Sequence, residues 1–251
     1  MPITPDDLTV DFFPQAGFAA PHDRSIAWDV CRSAVRALAQ LDSGESPDRS
    51  MHWNHVDAGW LASTSGPTGE VIGWFDFGAA SIWIERRHPQ EGAWIELAGK
   101  QRSEASAWVT RTADMLAGSR QPRVSEHDRE TSAYPEPPSE ALADLEAIYE
   151  GAGLMLNALA EAAAHAGLGI ATPQLDTDSL KASVGIGTRI IGFDPGLDQT
   201  LEPHWFVRTA TIEAQLQVQY HTLPLTDITR LDTGDAQHAR IAQFIAQHVN
   251  P

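Results

Sequence analysis

The apolar positions along the chain change period several times, and each change marks an element. From Ser25, read as a helix N-cap, Ile26, Val30, Ala34, Leu38 and Leu41 recur at helical spacing. After a polar loop at 43–49 the period shortens. Segments 51–64, 70–77, 81–86 and 93–98 are short, rich in Trp, Ile, Val and Phe, and separated by Gly, Pro and Ser. Ile82 and Ile84 alternate with Trp83 and Glu85, and Trp94 and Glu96 alternate with Ile95 and Leu97, which is the pattern of an antiparallel meander with one wetter face. A helix with Ser103 as N-cap follows, carrying Ala105, Trp108, Thr112 and Leu116 along one side.

The second half repeats this order. Residues 119–138 form a polar connector ending in Pro135, Pro137 and Pro138. Ser139 opens an Ala/Leu-rich helix reaching His165, with a kink expected at Gly151 and Gly153. Segments 180–186, 189–193, 204–211 and 214–221 read as strands; Gln215, Gln217 and Gln219 alternate strictly with Leu216, Val218 and Tyr220. A last helix, 235–249, turns Ile241, Phe244, Ile245 and Val249 inward. The expected fold class is α+β: an antiparallel sheet with helices packed on one side, built from two α–β(4)–α halves. The domain division is an irregular leader at 1–24, which lays Phe12, Phe13 and Phe18 on the body, a half at 25–118, the connector at 119–138 and a half at 139–251.

Charge narrows the function classes. Among 251 residues, 34 acids stand against 17 bases, a net charge of −17, and lysine occurs only at Lys100 and Lys181. Such a field repels phosphate backbones and anionic lipid, so neither nucleic acid nor membrane is an expected partner. The single cysteine, Cys31, excludes a disulfide within the chain and a Cys-rich zinc site. No segment reads as a signal peptide or a membrane span, so a cytoplasmic location is expected. No cofactor is expected either, because phosphate-cradling, dinucleotide, serine-elbow and His-Glu-x2-His patterns are missing.

Two polar-aromatic clusters remain as candidate chemistry. The first is His52-Trp53-Asn54-His55-Val56-Asp57. On a strand His55 and Asp57 share a face while His52 points the other way, so His55 and Asp57 are candidate catalytic groups and Trp53 a candidate ligand wall. His52 and His55, with Asp176 elsewhere, are also conceivable metal ligands, although this geometry opposes a shared ion. The second cluster runs from Asp194-Pro195-Gly196 to Glu202-Pro203-His204-Trp205. It reads either as a hairpin connection or as a carboxylate-lined loop, with Asp194 and Trp205 at a ligand and Glu202 or His204 as acid/base.

At these clusters the chain resembles a family of uncharacterised bacterial proteins defined by a domain of unknown function. The family's Asn-His-Trp-Trp-His segment is matched at His52, Trp53 and His55. Its later stretch is matched at Ile191, Gly192, Pro195, Gly196, Glu202, Pro203 and Val207, with Asp194 in place of a serine and His204 and Phe206 in place of tyrosines. The family's middle Trp-Pro-His-His-Phe-Asp motif departs here to Gln174 and Leu175, with Asp176 retained. The resemblance spans about 40 residues, implies a bacterial source and implies no activity.

Two readings follow. In the first, a cleft between the halves, lined by both clusters, binds a small molecule or performs acid/base chemistry. In the second, the sheet or its Trp-rich surface binds another protein or a second copy of the chain. The deciding geometry is whether the clusters meet in one pocket.

Overall fold

In the computed structural model, the described residues are 2–17, 19–41, 50–54, 59–118, 131–169, 172–196, 202–213 and 215–250. After a 3-10 turn at Pro5–Leu8 comes α1, Pro21–Leu38, followed by β1 (Ser50–Asn54), β2 (Gly59–Gly66), β3 (Gly69–Asp76), β4 (Ser81–Arg86) and β5 (Glu91–Glu96). Then come α2 (Arg102–Ala117) and α3 (Ser139–His165). The second set of strands is β6 (Gln174–Asp176), β7 (Ala182–Ile186), β8 (Arg189–Asp194), β9 (His204–Glu213) and β10 (Gln215–Pro224). Two helices close the chain, α4 (Leu225–Thr229) and α5 (Gly234–Val249).

The fold is α+β, with all ten strands in one antiparallel sheet ordered β10-β9-β8-β7-β6-β1-β2-β3-β4-β5. Each half is a meander, and the two meet where β1 pairs β6 through Ser50↔Asp176, Met51↔Leu175 and His52↔Gln174. The strand order therefore reads the same outward from this junction in both directions. Each half has five strands rather than four. The apolar segment 51–64 contains two strands, and Gln174–Asp176 is the short strand β6.

Alternation sorts the two faces. Met51, Trp53, Trp60, Val71, Ile82 and Ile84 are buried on the face that the helices cover. The opposite face carries a tryptophan ladder in register, Trp74↔Trp83↔Trp94, with successive rings 5.9 Å apart and stacked. Trp94, on the edge strand β5, is 51% exposed.

Several expected boundaries shift. The first helix starts at Pro21 rather than Ser25, because proline's fixed φ suits the first helical position. The helix expected from Ser103 starts at Arg102, after Gln101. Within α3 the glycines produce no break: the helix is continuous over 27 residues. They are notches instead. A Cβ on Gly151 would sit 2.9 Å from Phe13 Cζ, and one on Gly153 would sit 2.0 Å from Trp53 Cε3.

The leader is tied down by a side chain from the far end of the sequence. Gln237, fully buried on α5, accepts from Ala16 N–H at 2.9 Å and donates to Ala16 C=O at 3.0 Å and Leu231 C=O at 3.2 Å. Phe13 is buried as expected, whereas Phe12 is 66% exposed; Phe18 lies outside the described residues. Of the connector, 119–130 also lies outside them. Its last part is held to the first half, since Tyr134 is buried and exchanges backbone hydrogen bonds with Lys100 and Gly99.

A histidine pair fastens the last helix to the last strand. His221 of β10 and His248 of α5 stack with centroids 4.1 Å apart. Burial, then His221, hold the His248 imidazole below its ordinary value of 6.5. The unfolded chain thus takes this proton before the folded one does. The contribution of His248 is intact above about 6.5, falls as pH drops through that value, and levels below the folded-state pKa. Urea titrations across this window should show the wild type losing stability relative to His248→Gln as pH falls.

Candidate functional site

The second cluster is largely architecture. Trp205 is a core residue, 3% exposed, tilted against Phe193 at 6.2 Å, because its strand parity points it toward the helices. His204 is also 3% exposed, with Nδ1 2.7 Å from Glu202 C=O and Nε2 3.1 Å from the Tyr220 hydroxyl. Both ring nitrogens are therefore engaged, and neither is available as an acid/base at a cleft. Asp194 accepts from Gly196 N–H at 2.9 Å and pairs with Lys181 Nζ at 2.7 Å. Glu202 is exposed and accepts from the Thr226 hydroxyl at 2.8 Å.

The first cluster is split across the sheet. Trp53 faces the helices, while His52 is exposed on the opposite face; His55 and Asp57 lie outside the described residues. Asp176 accepts from Ser179 N–H and its hydroxyl, both at 2.6 Å, so it closes a turn. Among the described residues, no group of three or more His, Cys, Asp or Glu could hold a metal ion. The described residues of the two clusters do not meet. Four strand spacings separate β1 from β9, roughly 19 Å.

A cavity does lie between the halves, built from Trp53 and residues outside both clusters. The recorded β2–β3 ladder ends at Ala62↔Gly73, although β2 begins at Gly59 and β3 continues to Asp76. Beside that opening, under α1 and α3, is a cavity of about 400 Å³. This is within the ordinary range for small-molecule sites. Trp53 and Trp60 form one wall, edge to face at 5.4 Å. Phe77 and Tyr149, stacked at 6.0 Å, contribute to another. Trp60 is fixed by its indole N–H, which donates to Tyr149 C=O at 2.9 Å, and Trp53 by the notch at Gly153. The Trp53 indole N–H has no hydrogen-bond partner among the described residues.

Three carboxylates border this aromatic space: Asp76 at the end of β3, and Glu146 and Glu150 on α3. The two glutamates are four residues apart and so share a helix face. Burial, followed by Asp76 and Glu150, holds the Glu146 carboxyl above its ordinary value, and burial does the same for Glu150. No Lys or Arg is among the described residues lining the cavity. Burial also pushes the Cys31 thiol far up, so this lining residue is a neutral apolar group and not a nucleophile. The arrangement is suited to holding a compact ligand against aromatic faces, with negative charge at one side.

Comparison of the chain with protein-family models, with curated proteins and with solved structures found no match. Among the described residues, no helix is long and apolar enough to cross a membrane.

Of the expected site residues that are described, only Trp53 lines this cavity. The others were reachable in part: Glu146 and Glu150 sit beside Tyr149 on the flank of the Ala/Leu stripe of α3, where acids border buried surface. Nothing local in the sequence says that β2 and β3 separate.

Proposed function

We propose that the protein binds a small molecule in the cavity between its two halves. The observation that carries this reading is the cavity itself, about 400 Å³ walled by Trp53, Trp60, Phe77 and Tyr149 with three carboxylates at its border. Aromatic walls supply apolar area and shape, and the few polar groups supply orientation. Glu146, with its raised carboxyl, is the acid/base group for any proton transfer at the site.

A thermal-shift screen with a mixed panel of small cations, anions and neutral compounds tests it. The expected result is at least one saturable ligand that raises the melting temperature and changes tryptophan fluorescence. Val35→Phe, which extends a ring from the cavity wall, should weaken that ligand at least tenfold while the circular dichroism spectrum is kept. Absence of any saturable ligand across the panel would sink the proposal.

A second reading, a protein-interaction surface on the open sheet face, is favoured by the half-exposed Trp94 that ends the tryptophan ladder on edge strand β5. Concentration-dependent association abolished by Trp94→Ser would support it.

A further inference from the structure

The two halves can be compared position by position, and the comparison bears on what the cavity takes. Phe75-Asp76-Phe77-Gly78 spans the end of the third strand of the first half as Phe193-Asp194-Pro195-Gly196 spans the end of the third strand of the second. Strands β3 and β8 both end on the aspartate. Both aspartates cap the turn that follows, Asp76 accepting from Ala79 N–H at 3.0 Å and Asp194 from Gly196 N–H at 2.9 Å. Tyr149 reaches the end of both strands, against Phe77 just past β3 and Phe193 in β8.

The difference lies on the neighbouring strand. One step beyond the pair Phe193↔Ala182, the register sets Lys181 opposite Asp194, and its ammonium is bound there at 2.7 Å. Counted three positions past Ala62↔Gly73, where the two strands no longer pair, Gly59 is the position on β2 that corresponds to Lys181. Where the second half has a lysine, the first half has a glycine that lines the cavity.

The first helices of the halves differ in the same way. Arg36-Ala37-Leu38-Ala39-Gln40, at the end of α1 and just past it, corresponds to Asn157-Ala158-Leu159-Ala160-Glu161 on α3, which aligns Trp28-Asp29 with Tyr149-Glu150. Asp29 is bound by the Arg102 guanidinium. Glu150 faces the cavity, where the described lining holds no base.

From this we infer that the cavity's ligand is a small organic ammonium ion, seated where the second half of the same fold places its own lysine ammonium. This rests on the cavity being a ligand site, and it adds the ligand's charge and class. Asp76, Glu146 and Glu150 supply the counter-charge, and the faces of Trp53, Trp60 and Tyr149 supply a surface that favours a cation over a neutral isostere. The net charge of −17 draws cations and repels anions over the whole approach.

The test uses choline and its uncharged carbon isostere, 3,3-dimethylbutan-1-ol, by isothermal titration on the full chain. Choline should bind saturably and the isostere at least tenfold more weakly. In the double variant Asp76→Asn/Glu150→Gln, choline binding should fall at least tenfold. Gly59→Lys should raise the melting temperature and abolish choline binding, because the chain then carries its own ammonium at the site. If Gly59→Lys does not fold, the double variant decides alone. A neutral or anionic ligand that binds as well as choline and is lost in Val35→Phe overturns the ammonium assignment while leaving the cavity reading intact. Choline binding that ignores the double variant overturns the assignment too, and no ligand of any charge overturns both.

Discussion

Replacing Gly153 by alanine should destabilise the protein by about 3 kcal/mol, even though the same change in an exposed helix interior would stabilise it by about 1 kcal/mol. The new Cβ would lie 2.0 Å from Trp53 Cε3 and 2.1 Å from its Cζ3. These are atoms of a rigid, 6% exposed ring that is also packed on Trp60, so no flexible end can swing away. Overpacking therefore outweighs the helix-propensity gain. Trp53→Ala alone should cost about 3–5 kcal/mol, as deletion of a large buried aromatic does. Once the ring is gone the extra methyl has space, so Gly153→Ala/Trp53→Ala should be more stable than the sum of the single effects by at least about 1 kcal/mol. Urea unfolding of the four proteins measures this. Strict additivity would show that the notch is not what holds Trp53.

The second large effect is expected at Gln237. Gln237→Leu keeps most of the side-chain volume but removes both partners of the Ala16 backbone. A buried N–H and a buried C=O are then left without hydrogen bonds, each worth about 1–3 kcal/mol when orphaned, so the total should be about 3 kcal/mol. Because the strand of chain being released is the leader, limited proteolysis should cut the variant near Ala16 well before the sheet, and the wild type much later. Equal cleavage rates would refute the tether.

The expected fold class is the observed one because periodicity reports burial, and burial here is one-sided. Ile82 and Ile84 against Trp83, or the long Ala/Leu stripe of α3, carry that information locally. The mirrored order of elements is legible in the same way. What local pattern cannot carry is distance. His204 and Trp205 look like site residues because a histidine beside a tryptophan is chemically rich, yet parity sends one into the core and partners occupy both nitrogens of the other. Gly151 and Gly153 look like a helix kink, yet the rings of Phe13 and Trp53 fill the space above them. The cavity arises where β2 and β3 stop pairing, and its acids come from a strand end and from a helix far away in sequence. Only the assembled sheet brings Asp76 to Glu146.

The mirrored strand order has a consequence for how the chain reaches this structure. Eight of the nine ladders join strands adjacent in sequence, so most of the sheet can form by closing short loops. The ninth, β1 with β6, joins residues more than a hundred positions apart and holds only three residue pairs. Loop-closure entropy makes this the slow step, with two locally formed meanders docking last along this short seam. The cavity sits at that seam, so it does not exist in either half alone, and a ligand bound there would act as a latch on the final act of folding.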